Sequence, residues 1–446
     1  MIPLYTRYIL PNELGLFSLT QSLCAFFIVL FSFGLDESVL FFSHKFKFDL
    51  NLKKKYLGNI VVLSLLLSFL GLVFLFVFRK YIFNSSINDI AENLIYFALV
   101  LVATSPIFNI YQKYLRIESK ALNHALMLGI YSLLQMSFII ILVVFLKMQA
   151  YGMLISFSVT SFIFAIYSLY KLRSHMFILI DKTIFLSILN YSKHIFTNSI
   201  TSWGITNLMI LSLGKFSNSH QVGIYTAISF FGIIFLEISK TFLNIFQPYV
   251  YDNIEKNESN FSVEDVTKVI GNCLLILGLG MIYFINFFFN SLIDVKYSEG
   301  INYIPHIICL GILNFHILML DQISGFYKRS TKYFSITSVF GLTLNLTLIY
   351  IFKNNLVLKN ALLILIIVNS FLLFFKTHLL NTTLNDTFRL LKTWVISFLL
   401  FLPCFFKSIL FMSLGSKLLL FTTSILIVIL SERKLFYRVL TYKSVK

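Results

Sequence analysis

Uninterrupted apolar runs of about 17 to 24 residues recur along the whole of this 446-residue chain. An α-helix needs about 20 apolar residues to cross a hydrocarbon core of roughly 30 Å. Within lipid every backbone polar group has to be satisfied internally, which leaves only helices or a closed barrel. The runs lack the period-two alternation and turn spacing of outer-membrane strands, so the barrel is excluded. With 58% hydrophobic and only 12% charged residues, the chain reads as an all-α, polytopic integral membrane protein.

Thirteen full spans are predicted. Five lie near Leu14–Leu35, Gly58–Phe78, Ala91–Phe108, Leu126–Leu146 and Gly152–Tyr170, and five more near Ile195–Leu213, Val222–Ile245, Val269–Phe289, Ile301–Leu320 and Phe334–Ile351. The last three are Ala361–Phe375, Trp394–Phe411 and Leu418–Leu430. Ahead of them Ile2–Leu10 is an apolar stub too short to cross, so either a first helix is truncated or the start lies upstream. Met1–Pro11 has no basic head followed by an apolar core, so no cleavable targeting sequence is expected.

The formal charge of +17 would suit nucleic acid, yet no soluble basic domain exists to carry it, and none of the loops exceeds about 25 residues. Its distribution follows topology instead. On one set of alternate loops and the C-terminal tail lie 25 Lys and Arg, against 9 on the other set. Cytoplasmic loops carry the excess, which places the tail from Ser431 in the cytoplasm. Cys24, Cys273, Cys309 and Cys404 all fall in apolar runs, with neither C-x-x-C nor Cys/His ligand spacing, so no metal is expected. A phosphate-cradling G-x-x-x-x-G-K-[ST] loop is also missing, so no nucleotide or other cofactor is expected.

The segment Glu13, Leu14, Gly15, Leu16, Phe17 is echoed by Gln221, Val222, Gly223, Ile224, Tyr225. An even number of spans separates the two, so both helices cross in the same direction. This predicts two parallel six-helix-type lobes around a central cavity, a layout some transporters use. The expected division is residues 1–182 for the N-terminal lobe, 183–381 for the C-terminal lobe, and 388–446 for two additional spans and a tail.

Leu4, Tyr5, Thr6, Arg7, Tyr8, then Leu10, Pro11, Asn12, Glu13, Leu14, Gly15, Leu16, Phe17, and Phe33, Gly34, Leu35 resemble the N-terminal signature of the Wzx-type polysaccharide-repeat flippases. These belong to the multidrug/oligosaccharidyl-lipid/polysaccharide exporter superfamily. Asn190, Tyr191, Ser192, continuing through Gly223, Ile224, Tyr225 to Gln247, Pro248, resembles the region where such proteins open their second lobe. Lys193 and His194 stand where leucine and proline are usual. The resemblance implies export of an undecaprenyl-pyrophosphate-linked oligosaccharide, of O-antigen, lipopolysaccharide or capsule type, across the bacterial inner membrane. Expected partners are that lipid-linked substrate, membrane lipids, and a polysaccharide polymerase or glycosyltransferase.

A diphosphate-linked glycan needs a cavity that replaces water around negative charges and hydroxyls, and intramembrane cations supply that. Lys240 is the leading candidate. Glu237, three residues before it on the same helical face, is its resting partner or a titratable coupling group; a structural pair, or snorkelling to the interface, is the competing reading. Lys407 lies mid-span and Arg7 in the family-like stub. Asn198, Trp203 and Asn207 offer amides and an indole for a sugar, although polar helix packing explains them equally well. His316 could bond sugar hydroxyls or simply pack. Asp36 and Glu37 read as helix-end acids, Asp321 as an interfacial acid, and Tyr111–Lys120 as a short basic amphipathic helix on the membrane surface. Two rivals stand beside the flippase: an ion-coupled drug or metabolite antiporter of the same superfamily, and a membrane-embedded polymerase or acyltransferase. No loop is large enough for a catalytic domain, so an enzyme is not expected.

Overall fold

A computed structural model describes residues 2–46, 48–86, 92–117, 121–177, 181–256, 263–326, 331–384 and 414–431. These residues are helical throughout apart from short connections, and no strand occurs among them. The helices group into two compact units, Pro3–Gly223 and Ile224–Lys446.

The first unit opens with α1 (Ile2–Tyr8) and α2 (Pro11–Ser32). Pro11 takes the first helical position, where its missing N–H is no loss, and Leu10 before it is extended. The helix stops where Phe33 and Gly34 both adopt left-handed conformations, φ 47° and 70°. A side chain at Gly34 would also come within 2.9 Å of Ile195, so the sharp bend into α3 (Leu35–Lys45) requires glycine twice over. Then follow α4 (Leu50–Ser86), α5 (Glu92–Ile117), α6 (Ala121–Ile139), whose last turns widen into a π-helix over Ile140–Phe145, α7 (Gln149–Leu172) and α8 (Lys182–Phe216). Asp181 caps α8, accepting from the backbone N–H groups of Thr183 and Ile184. Those bonds, with the Thr183 hydroxyl first among them, hold its carboxyl below the ordinary carboxylate range. Hydroxyls fasten α5 to α7: Thr104 Oγ1 lies 2.8 Å from Ser161 Oγ, and Ser158 Oγ donates to the Phe97 carbonyl at 2.7 Å.

The echoed segments meet. A Cβ on Gly15 would lie 1.8 Å from the Ser219 carbonyl oxygen, and one on Gly223 would lie 1.8 Å from that of Pro11. Each glycine thus makes room for the backbone just ahead of the other, as small residues do where membrane helices touch.

The second unit contains most of α9 (Ser219–Lys256), then α10 (Val263–Tyr283), α11 (Ile285–Leu292), a 3-10 segment over Val295–Tyr303, α12 (Ile304–Phe326), α13 (Thr331–Phe352), α14 (Leu358–Leu384) and α15 (Leu414–Ser431). α12 is its centre. It packs on α10 and α14, and 78% of its span is buried.

Nine helices among the described residues are long and apolar enough to cross a membrane, and they coincide with nine of the thirteen predicted spans. The other four differ for separate reasons. The predicted Ile195–Leu213 lies within α8, which is long but rich in polar residues such as Lys193, Asn198 and Thr201. Val269–Phe289 is broken at Phe284, which leaves the helical conformation at φ −102°, ψ 21°. Leu418–Leu430 corresponds to the shorter α15, and Trp394–Phe411 lies outside the described residues. Of the stretch Tyr111–Lys120 predicted as a surface helix, the part to Ile117 is instead the end of α5, with Tyr111, Tyr114 and Leu115 buried in the core of the unit; residues 118–120 lie outside the described residues.

Candidate functional site

The charge pattern of α9 produces the predicted contact. Glu237 and Lys240 lie three residues apart, and Lys240 Nζ donates to Glu237 Oε1 at 2.7 Å. Their side chains are 57% and 61% exposed (lysine first), so neighbouring helices of the unit do not enclose the pair. Arg7, at the end of α1, is exposed as well. Lys407 lies outside the described residues.

The polar residues of α8 are engaged locally. The Trp203 indole N–H donates to the Ser22 carbonyl at 3.2 Å, and its ring lies 4.7 Å from that of Phe26. The donor that could serve a sugar is therefore already used in seating α8 on α2. Asn207 Nδ2 donates to Thr206 Oγ1 at 3.0 Å, while Asn198 has an exposed side chain and accepts from the Thr201 hydroxyl through its backbone carbonyl. His316 is buried against α10, where a Cβ on Gly271 would come within 2.7 Å of its Cε1. Glycine there leaves room for the ring at the α10–α12 contact. Thus Glu237 and Lys240 meet, and Trp203 sits beside Asn207 on one helix.

A second charged contact in the same unit joins residues far apart in sequence. Lys376 Nζ donates to Asp321 Oδ1 at 2.6 Å, linking α14 to α12, with Lys376 only 3% exposed and Asp321 42%. Hydropathy alone ends the last span of α14 at Phe375 and leaves Lys376 in a loop. The helix in fact continues to Leu384. The same unit buries other polar groups, including Asn369 and Thr377 on α14 and Asn272 on α10; Asn272 Nδ2 has no hydrogen-bond partner among the described residues.

In the first unit Glu37 is likewise more than a solvated helix end. Its carboxylate pairs with Lys113 of α5, and beside it Ser38 Oγ lies 2.7 Å from Ser192 Oγ on α8. The neighbouring Asp36 carboxyl is raised above its ordinary value, first by burial and then by the Glu37 charge, with Lys113 opposing. Among the described residues no group of three or more His, Cys, Asp or Glu could hold a metal ion.

Comparison with known proteins decides the family. The family model described as "Polysaccharide biosynthesis protein" matches residues 4–300, well over half of the chain. The chain belongs to that family of polysaccharide biosynthesis proteins. Among solved structures, lipid II flippase MurJ in an inward closed conformation is similar over 96% of this chain and 98% of its own, with a TM-score of 0.60 and 16% identity. An outward-facing multidrug-resistance MATE transporter of the MOP superfamily is similar over 84% of this chain and 88% of its own, with a TM-score of 0.54 and 18% identity. No curated protein sequence matches the chain. This member of the polysaccharide biosynthesis family is therefore a multi-pass membrane protein with the fold shared by MurJ and MATE transporters.

Proposed function

We propose that this chain is a flippase that carries an undecaprenyl-pyrophosphate-linked oligosaccharide repeat unit from the cytoplasmic to the periplasmic leaflet of the inner membrane by alternating access. The observation that carries the reading is a MurJ-like fold over 96% of a chain whose family is polysaccharide biosynthesis. Lipid II is itself a lipid-linked saccharide, so the two likenesses point to one substrate class. The chain moves its substrate without altering it, and its tail from Ser431 lies in the cytoplasm, in keeping with the excess of Lys and Arg on that set of loops.

Lys240 and Glu237 are the proposed substrate contacts, with Arg7 and Lys407 as further cations and Asn198 and Asn207 as amides for sugar hydroxyls. An exposed ammonium on a membrane helix can exchange its carboxylate for a phosphate oxygen at small cost, because both partners are charge-assisted acceptors. Trp203 seats α8, which presents the two amides, on α2, and His316 is a further group for sugar hydroxyls. Deleting the gene should strand lipid-linked oligosaccharide on the cytoplasmic face; intact repeat units still reaching the periplasm would end the proposal. The likeness to the MATE transporter favours a second reading, an ion-coupled antiporter. Under that reading deletion leaves oligosaccharide export intact and instead raises the cellular accumulation of a small cationic solute.

A further inference from the structure

The first unit holds a cavity of about 630 Å³ between the end of α5, the beginning of α6 and the end of α7. None of its lining residues belongs to the groups proposed for transport. Its two ends differ chemically. Towards the helix ends it is lined by Asn123, Lys171, His175 and the tyrosines Tyr114 and Tyr167; deeper in, Leu126, Ile130, Leu134 and Ile163 form an apolar slot. Asn123 and Leu134 share one face of α6 eleven residues apart, so the slot extends about 16 Å along the helix.

The slot opens sideways. α6 is the least buried of the nine candidate spans, with 17% of it covered, and Leu126 and Ile130 are more than half exposed. The polar end is cationic. Lys171 is exposed, with its ammonium 5.6 Å from the Tyr167 ring and no carboxylate beside it among the described residues. Arg173, just beyond, lies over Tyr170 at 4.1 Å, and Arg116 donates to His124 next to Asn123. His175 Nδ1 lies 2.8 Å from Ser174 Oγ and 3.1 Å from the Lys171 carbonyl oxygen, so both local contacts use Nδ1 and Nε2 is the ring nitrogen left to face an incoming headgroup. Among the described residues no Asp or Glu lines the cavity. A cationic, donor-rich mouth over an apolar slot that opens to the bilayer matches an amphiphile with a negative head and hydrocarbon chains.

We propose that this cavity binds one anionic phospholipid of the surrounding membrane, its phosphate held by Lys171 and His175 and an acyl chain laid between α6 and α7. The test is native mass spectrometry of the full-length protein in detergent, delipidated and then titrated with phosphatidylglycerol or phosphatidylcholine. Wild type should retain one phosphatidylglycerol in clear preference to phosphatidylcholine. Lys171→Gln should weaken that binding about five-fold, the worth of one basic side chain against an anionic lipid. Ile130→Trp should fill the slot and abolish retention, with Ile163→Trp on the opposite wall as the second variant if the first lowers the melting temperature. Equal retention of the two lipids, or undiminished phosphatidylglycerol binding in Lys171→Gln and a folded slot-filling variant, overturns the proposal. So does complete displacement by inorganic phosphate, which would mark a soluble-anion site, or by undecaprenyl phosphate, which would make the carrier lipid the occupant.

Discussion

Two lysine–carboxylate pairs among the described residues of the second unit are of nearly equal length, 2.7 Å for Lys240–Glu237 and 2.6 Å for Lys376–Asp321, and they do opposite things. The first lies within one helix, i to i+3, with both side chains more than half exposed. Such a pair contributes a few tenths of a kcal/mol, about 0.2–0.5, so its charges remain available to other partners. The second joins two helices and has its lysine almost sealed. Its net stabilisation against an apolar pair is small, yet breaking such a buried pair from one side is costly. Short distance therefore says nothing about role; burial and the number of helices joined do.

Four measurements would break or sharpen that contrast. The largest effect is expected for Asp321→Ala, which removes the carboxylate that pairs with the buried Lys376 ammonium: thermal unfolding should report a loss of about 3 kcal/mol, and Asp321→Ala with Lys376→Met should recover much of it. A single variant as stable as wild type would remove the structural role assigned to this pair. Next comes Lys113→Ala in the first unit, where the Glu37 pair is partly covered and its loss should cost about 1 kcal/mol. Asp36→Asn should have a smaller effect of opposite sign. The Asp36 pKa is raised above 3.8 in the fold, so its ionised form destabilises the protein at neutral pH, and that cost fades as the pH falls towards the unfolded value. The variant should melt higher than wild type near pH 7, by a margin that narrows on acidification; a constant margin would point to some other cause. The smallest change in stability, within about 0.5 kcal/mol, belongs to Lys240→Ala, where oligosaccharide export should nevertheless fall. Unchanged export at normal membrane levels would remove Lys240 from the proposed site.

Contacts confined to one helix were legible in the sequence, because spacing alone specifies them. The Glu237–Lys240 contact follows from 3.6 residues per turn, and nine spans follow from length and hydropathy. The Asp321–Lys376 pair was not legible: the partners are 55 positions apart, and two aromatic residues, Phe374 and Phe375, end the apolar window just before the lysine. A helix outlasts its apolar window when neighbouring helices shelter its polar residues. The same reason hid the extension of α5, whose Tyr111 and Tyr114 look amphipathic in sequence and are buried in the fold. The indole of Trp203 was visible as a polar handle, but only the packing of α8 on α2 shows that a backbone carbonyl already holds it.

The mutual notch at Gly15 and Gly223 has a further consequence. Each residue's missing side chain is occupied by main-chain oxygen rather than by a side chain that could swing aside, so neither position can be enlarged without forcing a helix away. The start of α2 and the start of α9 are thus locked like a mortise and tenon, and each glycine fixes the depth to which the other helix can seat.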